Sequence, residues 1–127
     1  MLELEISEVS KLTKLKSHTL RYYESIGLIK DIKRNSVGKR IYSEHDLKWL
    51  EVINRLRATG MNINKMKEYA RLRHIGNETI SERKNIMKEH LISIEHEIEA
   101  LLEARDYVSK KIKIYSDMEE KINERRK

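Results

Sequence analysis

From Ile80 to the C-terminus the sequence contains neither glycine nor proline, and apolar residues recur at Met87, Leu91, Ile94, Ile98, Leu101, Val108, Ile112, Tyr115 and Ile122. The steps alternate mostly between four and three residues, the spacing that keeps a single apolar seam along one side of an α-helix. A helix over 80–122 would be roughly 60 Å long at ~1.5 Å per residue. An ordinary helix folded back on its own domain is the simpler reading, but a stripe sustained for about six heptads outruns what the much shorter first half can cover. The seam is therefore expected to meet the same helix of a second copy, with Met87, Leu91, Ile94, Ile98, Leu101, Val108, Ile112 and Tyr115 as homodimer contacts. Arg105 stands where an apolar residue is due, and such an insert sets register or partner choice at some cost in stability.

What precedes this helix is small. A chain of 127 residues has room for one modest core and an appendage, which argues against a large catalytic or ligand-binding domain. Charge is unevenly placed: residues 1–74 carry 16 Lys and Arg against 9 Asp and Glu, whereas residues 75–127 carry 11 against 12. A small basic module most often meets a polyanion, because each phosphate it neutralises releases condensed counterions, so double-stranded DNA is the expected partner. The absence of cysteine excludes disulfides and thiolate metal sites. No apolar run approaches the roughly 18 residues needed to span a bilayer. The opening Met1-Leu2-Glu3-Leu4-Glu5 is acidic where a signal peptide would be basic. A cytoplasmic, nucleoid-associated protein without a membrane partner is the expectation.

Along the first half, Ser7–Leu12 reads as a short helix with Ile6, Val9 and Leu12 on one side, and Ser17–Ser25 as a second after a turn at Thr13-Lys14-Leu15-Lys16. Two short helices and a tight turn make a helix-turn-helix candidate. Gly27 suits the end of the second helix. The Lys- and Arg-rich stretch from Ile29 to Tyr42, broken by Asn35-Ser36-Val37-Gly38, suits a small β-hairpin, or wing. Ser43-Glu44-His45-Asp46 fits a capping box opening a helix with Leu47, Leu50, Val52, Ile53 and Leu56 on its apolar side, ending at Gly60. Asn62 is the expected N-cap of a further helix towards Arg73, and 75–79 a hinge. The expected organisation is a DNA-binding domain over 1–74, the hinge, a dimerisation helix over 80–122 and a charged tail over 123–127.

A recognition helix needs short polar or cationic groups near its N-terminus to reach base edges, and Arg or Tyr to fix it on phosphates. Lys16, Ser17, His18, Thr19 and Arg21 supply the first set, Tyr22 and Tyr23 the second, while Leu20 faces inward. Lys33, Arg34, Lys39, Arg40 and Tyr42 are the wing candidates. Trp49 is read as core, and His45, His90 and His96 as surface residues. No nucleophile–base pair, phosphate-cradling glycine loop or metal constellation can be assembled, so no catalytic residue, metal site or cofactor is expected.

The string Thr19-Leu20-Arg21-Tyr22-Tyr23-Glu24-Ser25-Ile26-Gly27-Leu28 resembles the signature of the MerR family of regulators. The likeness continues in order through Ile6-Ser7-Glu8-Val9, through Gly38-Lys39-Arg40-Ile41-Tyr42-Ser43-Glu44-His45-Asp46-Leu47 and through Leu56-Arg57-Ala58-Thr59-Gly60-Met61. It covers residues 5 to about 73, and the ending is similar to the short branch without a separate effector domain. The resemblance implies a mainly α protein: an N-terminal winged helix-turn-helix with a small β-hairpin, then a long helix paired as an antiparallel coiled coil. It further implies a homodimer on a promoter inverted repeat, acting beside RNA polymerase by distorting the promoter spacer. An architectural or chromosome-anchoring protein built on the same module is the alternative. Lys14 stands where the family usually has Gly, and His18 where it commonly has Arg, so base preference does not carry over.

Overall fold

The computed structural model describes residues 3–126; Met1, Leu2 and Lys127, the outermost residues of the expected first domain and charged tail, lie outside the described residues. Element order is β1 (Glu3–Glu5), α1 (Ile6–Thr13), α2 (Ser17–Ser25), β2 (Lys33–Arg34), β3 (Arg40–Ser43), α3 (Glu44–Ala58), α4 (Ile63–Ile75), a 3-10 turn at Asn77–Thr79, and α5 (Ile80–Arg126). The expected wing is present, with one unforeseen addition. Strand β1 joins the hairpin to give an antiparallel sheet in the order β1-β3-β2, with Leu4 opposite Tyr42 and Lys33 opposite Ile41. Three residues are too few to show a two-residue period in sequence, which is why β1 was not legible.

The chain divides into two compact units, Met1–Met87 and Lys88–Lys127. In the first, Val9, Leu20, Leu28, Ile29, Tyr42, Leu50 and Ile53 are essentially inaccessible to solvent. Each large apolar side chain buried in this way contributes about 1.5–3 kcal/mol. Two helices end in the same way. At the end of α2, Gly27 N–H donates to the Glu24 carbonyl at 3.2 Å and Leu28 N–H to the Tyr23 carbonyl at 2.9 Å. At the end of α3, Gly60 donates to Arg57 at 3.1 Å and Met61 to Leu56 at 3.0 Å. These are paired Schellman closures, which require a left-handed residue after the helix, and Gly27 and Gly60 have φ of 84° and 90°. The closures draw Leu28 and Met61 into the core.

Both expected caps form. Ser43 Oγ accepts from Asp46 N–H at 3.1 Å while Asp46 Oδ2 accepts from Ser43 N–H at 2.9 Å. Asn62 Oδ1 accepts from Lys65 N–H at 2.8 Å. The 75–79 segment departs from the expected hinge. Helix α4 runs on through Ile75, and buried Thr79 is tied down, its hydroxyl lying 2.6 Å from the Leu72 carbonyl oxygen and 2.7 Å from that of Gly76, either of which can take its proton. The first unit accordingly takes in the opening turns of α5, where Ile86 is buried and Met87, expected in the seam, is half-buried against the same core. Leu12 is also corrected: it is 66% exposed, because the reversal at Lys14 brings Leu15 into the core instead.

The second unit is helix throughout its described residues. Leu91, Ile98, Leu101, Val108, Ile112, Tyr115 and Ile122 are each 48–69% exposed in the single chain. Ile94 is half-buried. No helix among the described residues is long and apolar enough to cross a membrane.

The turn between α1 and α2 carries a measurable strain. Lys14 has φ 62°, ψ 16°, a left-handed conformation that costs a side-chain-bearing residue about 1 kcal/mol more than glycine. Lys14→Gly should therefore raise stability by about 0.5–1 kcal/mol, or some 3–6 °C in Tm for a unit of this size. A melting temperature unchanged or lowered in Lys14→Gly would show that the surrounding hydrogen bonds, rather than this residue, set the turn.

Candidate nucleic-acid interface

Helix α2 is held from one side. Leu20 and Tyr23, three residues apart, are 0% and 3% exposed, and the opposite positions His18, Arg21, Tyr22 and Ser25 are open to solvent. The helix starts at Lys16, whose carbonyl accepts from Thr19 and Leu20 N–H at 3.0 and 3.1 Å. No side chain caps this start and no acidic residue lies in its first turn. The positive end of the helix dipole is thus left without a side-chain anion of its own, a configuration suited to phosphate.

The turn that aims α2 is stitched by small polar groups. Ser10 Oγ donates to the Leu15 carbonyl at 2.5 Å, Thr13 Oγ1 to the Val9 carbonyl at 2.7 Å, and Asn54 Nδ2 reaches across from α3 to the Thr13 carbonyl at 3.1 Å. In the wing, Asn35 organises the reversal: its Oδ1 accepts from Val37 and Lys39 N–H, both at 3.0 Å. Arg34 Nη1 donates to the Gly38 carbonyl at 2.9 Å. Lys33 and Lys39 stay exposed.

Of the expected interface residues, Lys16, His18, Arg21, Tyr22, Lys33, Arg34 and Lys39 are exposed, and Ser17, Thr19 and Arg40 half-buried. Two assignments are corrected. Tyr23 is buried and its hydroxyl accepts from Arg57 Nη1 at 3.0 Å. Tyr42 is 0% exposed because β3 is the central strand and turns this residue onto the core. Arg40 is not a free wing cation: its Nε is 2.5 Å from Glu24 Oε1, each side chain about a quarter exposed. That ion pair ties the wing strand to α2. Sequence reasoning missed Glu24, Asn54 and Arg57 as supports, since polar residues on helices look solvated; an Asn inside α3, where it is a poor helix former, was the one available signal.

Trp49, expected in the core, is buried and donates from Nε1 to the Leu28 carbonyl at 2.7 Å. It stacks on Tyr69 with centroids 5.7 Å apart, and the Arg73 guanidinium carbon lies 4.2 Å from the Trp49 ring centroid. Burial, reinforced by the Glu24 carboxylate, pushes the Tyr42 phenol above its ordinary pKa. Its hydroxyl is the one buried side-chain polar atom among the described residues without a hydrogen-bond partner.

A polar helix face fixed by a buried opposite face, a stitched turn before it and a basic hairpin define a winged helix-turn-helix module. Residues 4–72 match the family described as MerR HTH family regulatory protein, and residues 47–110 the family described as MerR, DNA binding. The HTH-type transcriptional regulator AdhR of Bacillus subtilis is 43% identical over 84 residues, 66% of this chain and 60% of AdhR, so the match spans about three fifths of that regulator. A crystal structure of HiNmlR, a MerR family regulator lacking the sensor domain and bound to promoter DNA, superposes with a TM-score of 0.85 at 26% identity. It covers 91% of this chain and 92% of that one. A MerR family transcriptional regulator from Bacillus thuringiensis superposes with a TM-score of 0.79 at 32% identity, over 87% and 97% of the two chains. The chain belongs to the MerR family of helix-turn-helix regulatory proteins, a family of DNA-binding transcription regulators rather than enzymes.

The Tyr42 hydroxyl gives this site a test. Removing a buried hydroxyl that makes no hydrogen bond removes its desolvation cost, so Tyr42→Phe should be more stable by about 1 kcal/mol in denaturant unfolding. A clear loss of stability would mean that the hydroxyl is satisfied in solution.

Proposed function

We propose that the chain acts as a homodimer on a promoter inverted repeat, placing one copy of α2 in the major groove of each half-site with the wings on the flanking backbone. The observation that carries this is the division of α2 into a buried face, Leu20 and Tyr23, and an open face bearing His18, Arg21 and Tyr22. Such a face has the length and chemistry to read base edges, and the uncapped helix start suits an adjacent phosphate. Lys33 and Lys39 are the wing residues free for backbone contact; Arg34 and Arg40 serve the wing's own structure first.

Duplication of the helix comes from α5. Its exposed seam at Leu91, Ile98, Leu101, Val108, Ile112 and Tyr115 supports pairing with a second copy, by burial of side chains that are half or more exposed in one chain. Ile94 belongs to the same stripe. HiNmlR was solved on promoter DNA, and this chain is proposed to engage a promoter likewise, distorting the spacer beside RNA polymerase. Bending a site of this length costs on the order of 1–6 kcal/mol, which the phosphate contacts of two wings and two helix starts would offset.

The direct experiment is a binding-site selection from random duplexes, followed by affinity measurements across a salt series. Recovery of an inverted repeat, with affinity falling steeply as salt rises, is expected. His18→Ala should change the selected bases, while Lys39→Ala should weaken all sequences about equally and lessen the salt slope. Binding indifferent to sequence would overturn the reading in favour of an architectural role.

A further inference from the structure

A cavity of about 550 Å³ opens within the first unit, beside Trp49. Its apolar wall is formed by Leu28, Ile29, Ile41, Trp49 and Ala70, and its polar rim includes Arg73 from α4 and Arg83 from α5. Those two guanidinium groups are the unusual feature. Arg73 is stacked on Trp49 and its Nη2 lies 2.9 Å from His45 Nε2. Arg83 donates from Nε to Thr79 Oγ1 at 3.1 Å and from Nη2 to the Gly76 carbonyl at 3.2 Å. Among the described residues, neither arginine has a carboxylate within ion-pair distance.

The three carboxylates in the lining do not supply one. Asp46 is held by Ser43 N–H at 2.9 Å, Asp31 lies 3.9 Å from His74, and Glu3 is on strand β1. The Arg73 pKa is lowered, chiefly by burial; Tyr69 opposes that shift, Arg83 adds to it and Asp46 opposes it, in falling order of size. Two partly buried guanidinium groups therefore line one recess, beside a hydrophobic wall. Two cations at one rim repel each other, and an anion seated against both would offset that repulsion.

We propose that this cavity is a binding site for a small organic carboxylate with an apolar body. The carboxylate would take charge-assisted hydrogen bonds from Arg73 and Arg83, whose planar forks suit two-point contact, while the body lies against Trp49 and Leu28. A volume of about 550 Å³ falls within the range of small-molecule pockets. The walls come from the α2 closure, the wing and the first turns of α5, so occupancy would bear on how the wing is held, a consequence that rests on the DNA-binding reading. The site itself does not.

Trp49 is the chain's single tryptophan, so its fluorescence reports on this cavity alone. The full-length protein is titrated with sodium benzoate at fixed ionic strength and without DNA, with inorganic phosphate as the comparison anion. A saturable change with benzoate, not competed by equimolar phosphate, is expected. Arg83→Gln and Arg73→Gln should each weaken it at least about tenfold, the loss of a charged hydrogen bond. Lys113→Gln, an exposed cation of α5 that is not among the cavity-lining residues, should leave it unchanged. No saturable change in the wild type would overturn the proposal. So would phosphate competing as well as benzoate, or folded Arg83→Gln, checked by its thermal melt, binding as the wild type does.

Discussion

Helix α2 has nine residues, fewer than the roughly 12–15 that an isolated helix needs to persist in water. Its existence and its aim are set by Leu20 and Tyr23 sinking into the core, with Arg57 bonded to the Tyr23 hydroxyl and the Gly27 closure behind them. That anchorage is the constraint on which the rest of the interface depends. A helix fixed on one face by two buried side chains presents the other in a single orientation, and His18, Arg21 and Tyr22 inherit their direction from it. Ser10, Thr13 and Asn54 extend the same fixation into the preceding turn, where Lys14 accepts a left-handed backbone so that α1 and α2 can both reach the core.

The wing is bound into this arrangement rather than appended to it. Arg40 on the central strand pairs with Glu24 on α2, and Tyr42 from the same strand fills the core. A partly exposed ion pair of this kind has modest energetic value, but it fixes a distance between two elements that are expected to touch the same DNA. The residues of the wing thus divide by job: Asn35, Arg34 and Arg40 hold its shape, leaving Lys33 and Lys39 to solvent.

Much of this was legible in the sequence because it is written in local chemistry. The α2 boundaries follow from the turn before it and Gly27 after it, the α3 start from the Ser43–Asp46 box, and the α4 start from Asn62; each signal lies within four residues of the feature it specifies. What could not be read depends on partners distant in sequence. Strand β1 exists because it pairs with β3 nearly forty residues on. Arg40 and Tyr42 stand two apart on the same side of β3, and only the packing of distant elements decides that Tyr42 is covered by the core while Arg40 finds Glu24. Thr79 looked like part of a flexible link until its hydroxyl met the end of α4. The α5 helix was legible for the opposite reason: a repeat over many turns averages out local ambiguity, although Met87, read as part of the stripe, packs against the core of the first unit.

In the proposed complex α2 reaches DNA twice, once from each protomer, at a spacing the duplex dictates. Because the chain has no cysteine, Ser17→Cys can carry a single iron–EDTA cleaving group at the start of α2. On DNA recovered by selection, two clusters of cuts are predicted on one face of the duplex, their centres a whole number of helical turns apart. A single cluster, or two clusters offset by half a turn, would contradict the account.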